Sequence, residues 1–140
     1  MGATDPAKAA KLPLIVADAA DESALHKLCA STRVVVSTVG PYAIHGEPLV
    51  KACAETGTDY CDLTGEVQWI RRMLQRYEDK ARASGARIVH CCGFDSIPFD
   101  LGVVYLQDEA LQRLGTPLQR VSGRVRTMKG GFSGGKRDAL

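Results

Sequence analysis

Several features that assign a chain to a common functional class are scarce or missing in these 140 residues. No apolar run approaches the ~18 residues of a membrane-spanning helix, so we expect no transmembrane segment, although contact with a membrane surface stays open. Residues 1–11 contain no apolar stretch of the kind that a secretory signal peptide needs. The net charge of +2 is too balanced to indicate nucleic-acid binding. We therefore expect a protein that has no nucleic-acid partner.

The cysteines do not have the spacing of a metal site or of a disulfide framework. They are odd in number, and no C-x-x-C pair occurs among Cys29, Cys53, Cys61, Cys91 and Cys92. Adjacent cysteines at 91 and 92 cannot easily bind one ion together. Small buried thiols in a reducing compartment explain this usage better, so we expect a cytoplasmic protein without a metal.

Strand-like and helix-like segments alternate from residue 13 to about residue 114. Apolar and β-branched residues predict buried strands over residues 13–18, 34–39, 59–63 and 87–92. A segment with a helical period of apolar residues follows each of them. This alternation predicts parallel strands joined by right-handed crossovers, which is a doubly wound α/β fold.

Capping residues and proline positions predict where the helices begin and end. The first helix is predicted to begin at Asp21 or Ser23, and the last at Asp95 or Ser96. The second is predicted to begin near Pro48 and end at Gly57, and the third to begin at Thr64 and end at Gly85. The predicted buried stripes are Val67, Ile70, Leu74, Tyr77 and Ala81 on the third helix, and Ile97, Leu101, Val104 and Leu111 on the last.

The pattern changes near residue 117, which divides the predicted organisation in two. We assign residues 1–117 to a first α/β domain and residues 118–140 to the start of a second, α+β domain. Residues 121–128 alternate in side-chain type with period two, as a half-exposed strand does. The GGFSGG segment at 130–135 does not lead from a buried strand into an apolar helix, so it lacks the context of a phosphate loop.

Three predicted strands end in polar, glycine-containing turns. Their sequences are VVVSTVGPY at 34–42, YCDLTGE at 60–66 and RIVHCCGFDS at 87–96. Ligands of open α/β sheets bind just outside the carboxyl ends of the strands, and parallel strands have those ends at one edge. We therefore expect the turns at 40–44, 64–66 and 93–96 to lie together and to form part of a ligand site.

The first and third turns supply the candidate ligand contacts. These are Val39, Gly40, Pro41 and Tyr42 in the first turn and Gly93, Phe94 and Asp95 in the third. A helix that starts just after the third turn favours an anionic ligand. The alternatives are a strand terminator with a packing tyrosine for the first turn and an ordinary capped helix for the third.

Side chains suited to proton transfer lie in or beside the same turns. Tyr42, Asp62 and His90 are candidate catalytic residues. Asp62 falls inside the strand period, so it needs a polar partner if it is buried. The alternative for His90 is an ordinary residue of a buried strand. The alternative for the second turn, which begins after Asp62, is that Thr64 and Glu66 cap the following helix.

These motifs together resemble the saccharopine dehydrogenase-like oxidoreductases, and among them the bacterial trans-acting enoyl reductases of long-chain lipid synthesis. The motifs are GPY at 40–42, GEPLV at 46–50, YCDLTGE at 60–66, GARIVHCCGFDSIPFDLG at 85–102 and MKGGFSGG at 128–135. The resemblance implies a Rossmann domain that binds NAD or NADP, followed by an α+β domain that completes the substrate site. It implies that the seven turn residues contact this cofactor. For Asp18 it implies a place near the adenine ring, with a capping cluster beside Asp21 as the alternative.

The sequence departs from the family pattern at the pyrophosphate-binding turn. No G-x-G-x-x-G follows a predicted strand. We therefore expect a partial Rossmann-like sheet without its first βαβ unit, corresponding to an internal piece of a longer enzyme. Such a piece is expected to bind a nicotinamide dinucleotide weakly or not at all.

Two functions from different classes follow from the resemblance and from this departure. The first is NAD(P)-dependent hydride transfer to a small-molecule or lipid substrate, such as an enoyl group, in a full-length form that can be a homodimer. The second is a catalytically inactive piece with only a structural or partner-binding role.

Overall fold

The computed structural model describes residues 11–127, in which helices and strands alternate along the chain. The elements in chain order are α1 (Glu22–Ala30), β1 (Val34–Ser37), α2 (Tyr42–His45), α3 (Glu47–Thr56), β2 (Asp59–Asp62), α4 (Val67–Ser84), β3 (Ile88–Val89) and α5 (Ile97–Leu114). Within these residues no helix is both long enough and apolar enough to cross a membrane.

The three strands form one parallel sheet in the order β1-β2-β3. Val34 pairs with Asp59 and Ser37 with Asp62, while Tyr60 pairs with Ile88 on the other side of β2. All three strands therefore end at the same edge of the sheet. This confirms the α/β class and the expectation that the three turns lie along one edge.

Helices α1, α3 and α4 cover one face of the sheet and enclose the core. The first of them begins as predicted, because the Asp21 carboxylate accepts a hydrogen bond from Ala24 N at 3.0 Å. Pro48 lies in the first turn of α3, and Gly57, at a φ of 74°, ends it in the left-handed conformation that glycine tolerates best. The core between these elements includes Leu25, Cys29, Val50, Cys53, Tyr60, Trp69 and Met73.

The strand prediction for residues 13–18 was wrong. These residues form no strand, and the side chains of Leu14 and Val16 are almost fully exposed. A strand needs a neighbour for its backbone groups, and within residues 11–127 the first strand of the sheet, β1, pairs only with β2. The apolar residues of 13–18 are suited to a sheet, but a local pattern does not show whether a neighbouring strand is there to pair with them.

Two further strand predictions differ from the structure near the chain's turns. The strand predicted at 87–92 is limited to Ile88–Val89, because the backbone leaves the strand conformation at Cys91, whose φ is 60°. The half-exposed strand predicted from residue 121 is irregular up to residue 127, and its last residue and the 130–135 segment lie outside the described residues.

The inner face predicted for α4 was partly wrong. Val67 and Leu74 are exposed, whereas Trp69 and Met73 are buried together with Ala81. The helix starts later than predicted, because Glu66 and not Thr64 occupies the N-cap position. Its buried stripe is therefore set by Trp69, the largest apolar side chain available to the core.

The buried stripe predicted for α5 was also wrong. Ile97, Leu101, Val104 and Leu111 are all exposed, and Ala110 is the buried residue of this helix. Ser96 occupies its N-cap position without a side-chain capping bond. The apolar period of a helix defines a face, but no described element packs closely along that face. The sheet face opposite the helices is likewise open, with Val34, Val36 and Val89 exposed.

Candidate functional site

Asp62 lies at the centre of the carboxyl edge of the sheet and is fully buried. Its side chain points to the helix-covered face, because the burial along β2 alternates and Tyr60 lies on the same face. Carboxylate Oδ2 lies 2.7 Å from His90 Nδ1. Oδ1 accepts hydrogen bonds from Thr64 N and Cys91 N, both at 3.1 Å. Asp62 therefore joins the second turn to the third.

The hydrogen bonds keep Asp62 ionised. Burial raises the pKa of its carboxyl, but the bond from His90 and the backbone bonds from Thr64 and Cys91 outweigh burial, and the net pKa lies below the ordinary value. Since a carboxylate only accepts hydrogen bonds, His90 Nδ1 carries the proton between them. The other ring nitrogen, Nε2, is buried and has no hydrogen-bond partner in the described part of the chain.

The backbone at Cys91 directs two amides toward Asp62. The left-handed φ of 60° is unusual for a residue with a side chain. Cys91 N donates to the carboxylate, and Cys92 N donates to the carbonyl oxygen of Asp62 at 2.7 Å. The two consecutive amides therefore hold residue 62 through both its side chain and its main chain.

Tyr42 and Glu66 connect the first turn to the second. The Tyr42 hydroxyl donates to the carbonyl oxygen of Ser37 at 2.9 Å and accepts from Leu63 N at 3.3 Å. The two carboxylate oxygens of Glu66 accept from Tyr42 N at 2.7 Å and Ala43 N at 2.8 Å. The pKa of the Tyr42 hydroxyl is raised above its ordinary value, mainly because the group is buried. The tyrosine hydroxyl and the first amides of α2 are thus used inside the protein.

Trp69 and Gly46 are residues of this site that sequence reasoning missed. The Trp69 ring lies 5.4 Å from the Tyr42 ring between centroids. A Cβ added at Gly46 would lie 2.6 Å from Trp69 Cζ2 and 2.8 Å from the Tyr42 carbonyl oxygen. Two sequence features could have identified these residues. Trp69 is the one tryptophan of the chain, and Gly46 is the glycine that separates α2 from α3.

The remaining candidates lie along the same edge and differ in exposure. Val39 and Phe94 are exposed, Gly40 and Pro41 are half-buried, and their peptide bond is cis. Asp95 is exposed, whereas Gly93 is buried, and a Cβ at Gly93 would lie 2.8 Å from Asp95 Oδ1. Residues 39–41 and 93–95 together form the rim of this edge.

Asp18 is placed with the turn before α1. Its carboxylate accepts a hydrogen bond from Ala20 N at 2.8 Å, and its carbonyl oxygen accepts one from Asp21 N. These local bonds are those of the capping cluster that was the alternative interpretation. Across residues 11–127, no group of three or more histidine, cysteine or acidic side chains is arranged to hold a metal.

Comparisons with known proteins agree with the fold and identify the family. Residues 3–89 match the family model described as the saccharopine dehydrogenase NADP-binding domain. A Mycobacterium tuberculosis protein named "Putative trans-acting enoyl reductase" is 50% identical over 123 residues, covering 88% of this chain and 29% of that protein. A trans-acting enoyl reductase of Mycobacterium leprae is 50% identical over 100 residues, covering 71% of this chain and 24% of the relative.

A solved structure has a similar fold. The apo, histidine-tagged saccharopine dehydrogenase (L-Glu forming) of Saccharomyces cerevisiae superposes with a TM-score of 0.61 at 28% identity. The match covers 76% of this chain and 22% of the yeast chain. The chain thus spans less than a third of the length of the curated relatives and of the solved structure that it matches.

Proposed function

Because the chain belongs to the saccharopine dehydrogenase NADP-binding domain family, we propose that it forms the nicotinamide side of the cofactor site of an NAD(P)-dependent oxidoreductase. The observation that carries this proposal is the joining of three strand-end turns at one sheet edge by Asp62 and Glu66. Ligands of open α/β sheets bind at such an edge. The bound dinucleotide supplies the hydride, and the protein positions it.

The residues at the edge fit the ribose and nicotinamide of a dinucleotide better than its phosphates. The exposed side chains of Val39, which follows β1, and Phe94, which follows β3, offer apolar surface at the edge. The amides at the start of α2, which could otherwise bind an anion, already donate to Glu66. Residues of the rim would therefore hold the cofactor by packing and backbone contact, while pyrophosphate binding requires a part of the enzyme other than this edge.

Tyr42, Asp62 and His90 act in this proposal as positioning residues. All three side chains are buried, and their hydrogen bonds hold the three turns together. The acceptor of the hydride is proposed to be the enoyl group of a lipid intermediate, which rests on the names of the mycobacterial relatives. The rest of the substrate site would come from the following domain.

A second candidate function is a structural or partner-binding role without catalysis. Two observations favour it: the sequence contains no Gly-rich pyrophosphate turn, and the candidate proton-transfer groups are all engaged or buried inside the protein. In this case the edge would serve only to support a neighbouring polypeptide.

A chimera separates the two functions. The aligned segment of the Mycobacterium tuberculosis relative is replaced by this chain, and NADPH binding is measured by fluorescence titration. The oxidoreductase proposal predicts that the chimera binds NADPH like the relative and that Phe94→Asp weakens binding at least tenfold. Leu114→Asp, an equally exposed position at the end of α5, is the matched control and should leave binding unchanged. A folded chimera without NADPH affinity would favour the structural role.

The chain by itself gives a complementary result. We expect NADPH binding to the 140-residue chain to be weak or undetectable, because the pyrophosphate normally rests on a Gly-rich turn and helix end. Calorimetric titration of the purified chain measures this. Low-micromolar affinity would show that residues of this chain bind the phosphates after all.

A further inference from the structure

The thiols of Cys29 and Cys53 are in contact in the core. Their Sγ atoms lie 3.5 Å apart, although the two residues are 24 positions apart in the chain. Cys29 lies in the last turn of α1 and Cys53 in the second half of α3. Both cysteines are free. Because an S–S bond is about 2.05 Å long, the two sulfur atoms would have to approach by only roughly 1.5 Å to form a disulfide.

The contact between the two thiols is fixed by the packing of α1 on α3. Lys51 Nζ of α3 lies 2.8 Å from Glu22 Oε2 of α1. Thr58 Oγ1 donates to the carbonyl oxygen of Cys29 at 2.9 Å, which holds the last turn of α1 in place. The fold therefore presents Cys53 to Cys29 at a high effective concentration, and a reaction between them is intramolecular.

Burial keeps both thiols protonated while the fold is closed. Neither residue is exposed, and burial is the main reason why the pKa of each thiol is raised above its ordinary value. The thiolate is the form that attacks a disulfide. Oxidation of this pair is therefore expected to be slow and to depend on local opening of α1.

An open pocket gives a route toward Cys29. The pocket has a volume of about 420 Å³, and its lining includes Cys29, Arg33 and Asp59. Arg33 directly precedes β1, and Asp59 begins β2, so the pocket lies at the amino edge of the sheet. This edge is opposite to the rim, which makes the chemistry of the pair independent of cofactor binding.

We propose that Cys29 and Cys53 are a redox-sensitive pair, which a small disulfide such as oxidised glutathione converts into an intramolecular disulfide that ties α1 to α3. The Cys29 thiolate attacks the oxidant, whose S–S bond breaks, and one glutathione leaves. Cys53 Sγ then attacks Cys29 Sγ in the mixed disulfide, and the second glutathione leaves. The cysteines lose two electrons, the oxidant gains them, and the two thiol protons end on the two glutathione molecules.

Mass spectrometry of the 140-residue chain tests the proposal. The purified chain is incubated with oxidised glutathione under native conditions, and the remaining thiols are alkylated. We expect the chain to lose the mass of two hydrogen atoms. Amide exchange at residues 22–30 should become slower, and Tm should rise by roughly 5–10 °C, because a cross-link restricts the unfolded chain. A chain that stays reduced, or that carries only glutathione adducts, would overturn the proposal.

The Cys61→Ala variant makes the linkage unambiguous. Trypsin leaves Cys53 and Cys61 in one peptide, residues 52–71, whereas Cys29 lies in residues 28–33. The variant also removes the thiol that neighbours Cys92, so that pair cannot form. Oxidised Cys61→Ala should yield peptide 28–33 linked to peptide 52–71. A linkage that involves residues 88–113 instead of this one would contradict the assigned pair.

Cys53→Ala completes the comparison, because it makes the same side-chain change as Cys61→Ala at the partner of Cys29. Oxidised glutathione should produce no intramolecular disulfide at Cys29 in this variant and should leave its Tm unraised. If Cys53→Ala does not fold, the peptide map of oxidised Cys61→Ala decides the question. A rise in Tm on oxidation of a folded Cys53→Ala, equal to that of Cys61→Ala, would show that another bond stabilises the oxidised chain.

Discussion

His90 Nδ1 donates to Asp62 Oδ2 at 2.7 Å, and both side chains are almost completely buried. Asp62 comes from the end of β2 and His90 from the residue after β3, so this bond joins two strand ends. Removing one partner of a buried charged hydrogen bond leaves the other without compensation, which is more damaging than loss of an exposed pair.

The Asp62–His90 pair predicts a pH-dependent effect of Asp62→Asn. The folded-state pKa of Asp62 lies below the ordinary value of 3.8, so its carboxylate stabilises the fold above that value, and the contribution is lost as pH falls through the lowered pKa. We expect Asp62→Asn to reduce the free energy of unfolding at pH 7 by about 2–4 kcal/mol. Urea denaturation measures this.

The difference between wild type and Asp62→Asn should begin to shrink as the pH falls below about 4, because the carboxyl of the unfolded chain is protonated there. The loss should continue until the pH has fallen through the lowered pKa of the folded protein. Asp79→Asn, on the exposed side of α4, serves as the control and should follow the wild-type pH profile. A difference of the same size at pH 7 and pH 3 would show that the charge of Asp62 is not what stabilises the site.

Gly46 is predicted to be intolerant of a side chain. Its added Cβ would lie within 3 Å of both the Trp69 ring and the Tyr42 carbonyl oxygen, so Gly46→Ala should lower the free energy of unfolding by roughly 1–3 kcal/mol. A Cβ at Gly65 meets nothing within 4 Å, and Gly65→Ala should be neutral or slightly stabilising. Thermal unfolding of the two variants side by side makes the comparison. Equal melting temperatures would contradict the packing described for Trp69.

Glu66→Gln tests the bridge between the first two turns. An amide cannot accept from Tyr42 N and Ala43 N with both of its terminal atoms, because one is an NH₂ donor. We expect a loss of roughly 1–3 kcal/mol and faster amide exchange at residues 42–43. Glu78→Gln, which breaks an exposed pair with Arg82, should cost well under 1 kcal/mol. Unchanged exchange at 42–43 would rule out the bridge.

We predict that the backbone conformation at Cys91, and not its thiol, determines how a substitution there changes the stability of the protein. Cys91→Gly and Cys91→Ala both remove the thiol, but only glycine adopts a φ of 60° without strain. The glycine variant should therefore be more stable than the alanine variant by about 1 kcal/mol in chemical denaturation. An alanine variant as stable as the glycine variant would contradict the left-handed conformation.

The sequence predicted the sheet edge well and the burial of the helices poorly. Parallel order and shared strand ends follow from local patterns, since Val34–Ser37 and Asp59–Asp62 carry strong strand signals and are followed by helices. The strand at 13–18 and the buried stripe of α5 depend on what lies beside them in space, which no local pattern contains. The same reason explains why Trp69 was missed: its partner Gly46 is close to it only after α3 and α4 have packed.

The structure places the predicted strand-end turns at one edge of the sheet, while the surroundings of each residue in them could not be foreseen. The need of Asp62 for a polar partner was predicted from its place in the strand period, and His90 is that partner. Sequence spacing does not show which side of the edge each residue faces. Only the structure therefore showed that the side chains of Tyr42, Asp62 and His90 are buried. It also showed that Val39, Phe94 and Asp95 of the rim are exposed.

Hydrogen exchange of the chimera with and without NADPH tests the central claim most directly, because both ends of each strand are compared in one sample. We predict that NADPH slows amide exchange at residues 39–43 and 91–96, which lie at the carboxyl edge. Amides at residues 31–33 and 85–87, at the opposite edge of the same strands, should be unaffected. Protection confined to the opposite edge, or NADPH binding without protection of either carboxyl-edge segment, would contradict the assignment of the cofactor site.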